Sequence, residues 1–92
     1  MTPYLQASIM STPLPLVVPP KGWNATKYPG EYTQDYPEGL AVVRALFVEG
    51  EWKYLARCWE GSGGQPTDIP ATSFADAFQK AEEFLSRARA QL

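Results

Sequence analysis

The sequence predicts an α+β fold: a small antiparallel sheet built on a central hairpin, with one C-terminal helix packed across one face. Three observations predict it. Two runs rich in β-branched and aromatic residues, Leu40–Val48 and Glu51–Trp59, flank a Glu49-Gly50 turn. If two residues make that turn, one face of the hairpin is apolar throughout. After a Gly/Pro-rich interval, Phe74, Ala77, Phe78, Ala81, Phe84, Leu85, Ala88 and Leu92 recur at steps of three and four, the spacing of one helix face. The 92 residues leave no room for a second core, so the chain reads as a single domain.

Residues 1–39 hold seven of the nine prolines and read as an irregular arm. Within it, Leu14–Val18 is an apolar run bracketed by Pro13 and Pro19-Pro20, a candidate strand that proline confines to a sheet edge. Tyr28, Tyr32 and Tyr36 recur every four residues, but Pro29, Gly30 and Pro37 exclude a helix. That segment reads as a loop with a short extended piece at Glu31–Asp35.

In the hairpin, the turn sets Phe47 opposite Trp52, Ala45 opposite Tyr54, Val43 opposite Ala56 and Ala41 opposite Cys58. The small residues Ala41, Ala45 and Ala56 let a helix approach this face, while Phe47, Trp52 and Tyr54 fill the flanks as core. The other face is mixed: Leu40, Val42, Arg44, Leu46 and Val48 beside Glu51, Lys53, Leu55, Arg57 and Trp59. Residues 60–72 form a Gly/Pro loop or an edge strand, since Pro66 and Pro70 forbid a central place. The helix spans 73–92. Ser73 caps it, Asp76 is the capping-box partner three residues on, and Arg87 and Arg89 suit the negative end of its dipole.

Composition narrows the chemistry. The chain has no histidine and one cysteine. It therefore lacks the commonest general base, any histidine-dependent triad and the ligands of a structural zinc site. Cys58 falls on the apolar face, where a thiol is inert packing. Glu49, Glu51 and Glu60 gather at the hairpin ends as solvated charge. Gly61-Ser62-Gly63-Gly64 lacks the lysine and hydroxyl residue that must follow in a phosphate-binding loop. The sequence predicts no enzyme and no cofactor. One cysteine and no apolar run of membrane-spanning length point to the cytoplasm. Residues 1–18 lack the basic start of a secretory signal, so the sequon at Asn24 is read as chance, and Met10 is an alternative start.

Two binding surfaces remain. On the mixed sheet face, Arg44, Lys53 and Arg57 interleave with Leu46, Leu55 and Trp59, a composition found in protein hot spots and in nucleic-acid-reading sheets. In outline the arrangement resembles the arm-binding domains of phage-type integrases, which dock a three-stranded sheet in a DNA groove. The likeness is one of architecture, not of motif. The competing structural reading has Trp23 and its neighbours cover this face and turn it into core.

The second surface is the arm itself. Leu14–Lys21 offers an extended or polyproline segment, and Tyr28, Tyr32 and Tyr36 add amphipathic contact area. A net charge of −2 disfavours a phosphate-backbone partner. The expectation is a small cytoplasmic protein acting by protein–protein contact as a regulator or inhibitor. Its format resembles that of phage and mobile-element accessory proteins. A nucleic-acid-binding module on the basic face is the alternative, and a homodimer is open to either reading.

Overall fold

The computed structural model describes residues 13–15, 17–61 and 64–90, without the side chains of the last three. Strands β1 (Asn24–Ala25), β2 (Glu31–Tyr36), β3 (Gly39–Val48), β4 (Glu51–Glu60) and β5 (Thr67–Ala71) form one antiparallel sheet in sequence order. Helix α1 (Phe74–Ala90) packs across one side of it. This is the α+β arrangement that the sequence predicts.

The central hairpin has the expected register. Phe47 pairs with Trp52, Ala45 with Tyr54, Val43 with Ala56 and Ala41 with Cys58. Glu49 and Gly50 hold φ of 51° and 80°, so both turn residues are left-handed. Such turns share the right-handed twist of the strands they join, which is why a two-residue link fixes pairing along the ladder. At the far end, a Cβ on Gly39 would lie 1.8 Å from the Trp59 carbonyl oxygen, so only glycine permits the close pairing there.

The helix starts where capping chemistry places it. The Ser73 carbonyl accepts the Ala77 amide at 2.9 Å, and Ser73 Oγ accepts the Asp76 amide at 3.0 Å. Asp76 turns its carboxylate to the Thr72 amide at 2.9 Å rather than to Ser73, a variant of the expected box. Phe74, Ala77, Phe78, Ala81 and Leu85 are buried against Ala41, Val43, Ala56 and Cys58. The side chains of Ala88, Arg89 and Leu92 lie outside the described residues.

Three expectations are corrected. Leu14–Val18 is not a strand: the described residues among them are irregular, and Leu14 and Val17 pack on the core beside the helix. Prolines 13, 15, 19 and 20 have no amide hydrogen to give a sheet ladder. Leu16 lies outside the described residues. The tyrosine segment is more than a loop, because Glu31–Tyr36 pairs in full with Gly39–Arg44 as β2. Gly30, at φ 74°, turns the chain into that strand. Last, Phe47 is not core but 45% exposed. The register of β2 with β3 ends at Arg44, and that of β5 with β4 at Tyr54, so Leu46–Lys53 extends past both neighbours as a two-stranded ribbon. The helix does not bury its end.

Candidate functional site

Strand alternation sends every second residue to the side of the sheet away from the helix. There β3 contributes Leu40, Val42, Arg44, Leu46 and Val48, and β4 contributes Glu51, Lys53, Leu55, Arg57 and Trp59. Leu40, Val42, Leu55 and Trp59 are half-buried by their neighbours on the sheet, while Leu46 and Val48 are exposed. None of these apolar side chains joins the core cluster. Among the described residues, no element lies over this face.

The arm lies on the opposite side. Trp23 is buried at 5% exposure, with its ring 4.9 Å from Phe78 and 6.4 Å from Tyr36. Trp52 Nε1 donates to the Pro13 carbonyl at 3.1 Å and ties the start of the arm to the helix-facing side of the hairpin. The reading in which Trp23 and its neighbours convert the mixed face to core is therefore not the one adopted.

Each cation of the open face has a carboxylate partner. Arg57 forms a bidentate pair with Asp68 directly across on β5, at 2.7 and 2.9 Å. Lys53 donates to Glu51. Arg44 Nε lies 3.7 Å from Glu31 and makes no hydrogen bond. The hydrogen bond from Arg57 holds the Asp68 carboxyl below its ordinary range, and the hydrogen bond from Lys53 does the same to Glu51. Counting Glu31, Glu51 and Asp68 against the three cations, the face carries charge of both signs and no bare basic patch.

The residues singled out in the sequence thus fall into two groups. Arg44, Lys53, Leu55, Arg57 and Trp59 share the open face. Trp23, Tyr32 and Tyr36 point to the helix side, where the Tyr32 ring sits 5.6 Å from Phe74 and Tyr36 donates to Glu82 at 2.5 Å. Tyr28 stands apart, 55% exposed, with Lys27 Nζ over its ring. The residue that sequence reasoning missed is Phe47, which is exposed at the hairpin end beside Leu46 and Val48 of the mixed face. The overhang appears only with the observed strands, where two of ten residues are flanked by one of six and one of five.

Reactive groups are quiet. Cys58 is buried, and burial pushes its thiol up to about 11. Tyr36 is raised by burial and by its bond to Glu82. No group of three or more metal-ligating side chains occurs among the described residues, and no helix there is long and apolar enough to cross a membrane. Comparison with protein-family models, curated proteins and solved structures finds no match for this chain.

Proposed function

We propose that this chain is a non-enzymatic cytoplasmic binding module that seats a protein partner on its open sheet face and hairpin end, as a regulator or inhibitor. One observation carries the reading: a strip of Leu40, Val42, Leu46, Leu55 and Trp59 lies outside the core on a face whose cations already have carboxylate partners. Apolar side chains that include a tryptophan, interleaved with arginines, match the residue types enriched at protein interfaces. Nucleic acid asks for something else. Its affinity comes from lysines and arginines free to displace counterions, and here Arg44, Lys53 and Arg57 would first have to leave Glu31, Glu51 and Asp68.

The test uses the purified chain, immobilised beside Trp59→Ala and Leu55→Ala variants, to capture and identify proteins of the source organism. The expected result is a partner whose affinity for the purified chain falls about tenfold or more in each variant. Single- and double-stranded DNA and RNA, titrated across salt, should show no retention. Salt-dependent nucleic-acid binding lost in Arg44→Ala/Arg57→Ala would overturn the proposal. So would partner binding indifferent to Trp59 and Leu55.

A further inference from the structure

On the helix-facing side of the hairpin end, Phe47 is 45% exposed, with its ring 5.0 Å from that of Trp52. Leu46 and Val48 are exposed on the other side, so the tip is apolar on both. Among the described residues, no strand or helix beyond the hairpin itself covers Phe47. An apolar tip with an aromatic ring half in water marks a surface that takes an occupant.

The course of the arm points to which occupant. Trp52 Nε1 donates to the Pro13 carbonyl at 3.1 Å, and the next residue, Leu14, packs on the core. The arm therefore begins beside the Phe47–Trp52 ring pair, on the same side of the sheet. The residues before Pro13 read Met-Thr-Pro-Tyr-Leu-Gln-Ala-Ser-Ile-Met-Ser-Thr. None of these side chains is charged, so packing them on an aromatic ring desolvates no charged side chain, and Tyr4, Leu5, Ile9 and Met10 bring apolar area. Their attachment decides against other occupants. A segment tethered at Pro13 meets Phe47 at an effective concentration on the order of millimolar, above that of a second copy or a separate partner in dilute solution. An extended chain spans about 3.3 Å per residue, so Ile9, four residues before Pro13, is within reach of the ring.

We propose that residues 1–12 of this chain dock on the helix-facing side of the hairpin end, with Leu5 and Ile9 against the Phe47 ring. They are a built-in occupant that an external partner must displace to reach Phe47. Leu55 and Trp59 take no part, so the test does not depend on the reading of the open face.

The test uses the full chain, ¹³C-labelled on its leucine and isoleucine methyls and its phenylalanine rings. The expected result is a nuclear Overhauser effect between a Leu5 or Ile9 methyl and the Phe47 ring. It should persist on about tenfold dilution and be absent between copies when labelled and unlabelled chains are mixed. A soluble paramagnetic agent should broaden the Phe47 ring more in Leu5→Asp/Ile9→Asp than in the parent chain, with the exposed Tyr28 ring broadened equally in both. The Overhauser measurement needs no variant, so it decides the matter even where the double variant fails to fold. Absence of contact between these methyls and Phe47 would overturn the proposal. So would equal broadening of Phe47 in the parent and a folded variant, or a contact found only between copies.

Discussion

The two faces of the β3–β4 hairpin share one backbone and differ only in which alternate residues they receive. On the helix side the centre is small: Ala41, Val43 and Ala56 are fully buried and Cys58 nearly so. Phe74, Phe78 and Leu85 fill the room those residues leave. On the open side the centre is large, with Leu40, Val42, Leu55 and Trp59 standing up from the sheet between ion pairs. A helix cannot approach such a surface closely, and its charges would be expensive to desolvate against an apolar helix stripe. Small residues thus select the face that takes the chain's own helix. Large residues laced with paired charge mark the face that no described element covers.

The sharpest way to break this contrast is to remove a ring from the closed side. Phe78 is 4% exposed and its ring meets Trp23, Tyr32 and Phe74. Phe78→Ala should cost about 3–5 kcal/mol in a denaturant titration. Gly39→Ala comes next, since the new methyl would meet the Trp59 carbonyl. Relief requires the β3–β4 ladder to part locally, and about 1–3 kcal/mol is expected from the same titration. Trp59→Ala, on the open side, should cost no more than about 1 kcal/mol while abolishing partner capture. If instead it destabilises as much as Phe78→Ala, the open face is core, and the contrast between the faces collapses.

How much of this was legible in the sequence depends on the range of the interaction that decides each element. The hairpin register followed from a two-residue turn, and the helix from its apolar period and Ser73, all short-range signals. Leu14–Val18 was misread because an apolar run says nothing about the amide hydrogens that prolines remove. β2 was underestimated because Pro29 and Pro37 flank it without entering it, so the strand between keeps all its donors. Phe47 was placed in the core by its face alone. Burial also needs a neighbour at that height, and the helix and both flanking strands stop short of it. The open face could be composed from the sequence, but whether Trp23 would cover it depended on contact with Phe78, far along the chain. The ion pair between Arg57 and Asp68 likewise needed the β4–β5 register, which no turn of fixed length specifies.

The smallest expected effect is a response to pH in opposite directions from Asp68 on the open side and Cys58 on the closed side. Asp68, on the open side, has a folded pKa held below its ordinary 3.8 by Arg57. A carboxyl with a depressed folded pKa adds stability above its unfolded value and loses it as pH falls through the folded one. The open side therefore contributes an acid limb, beginning below about pH 4. Cys58, on the closed side, behaves in the opposite sense, its pKa raised from 9.0 to about 11 by burial. Its ionisation is easier in the unfolded chain, so stability is intact below pH 9 and declines as pH rises from 9 toward 11. Denaturant midpoints measured across pH should fall at both ends. Asp68→Asn should flatten only part of the acid limb, since Lys53 also lowers Glu51 and the Thr72 amide also lowers Asp76, and Cys58→Ala only part of the alkaline one, since the raised Tyr36 hydroxyl also contributes there. At pH 8 the folded chain should react with iodoacetamide far more slowly than the unfolded chain, because almost no thiolate is present and the sulfur is covered. Rapid labelling of Cys58 in the folded state would mean that the helix does not stay closed on that face.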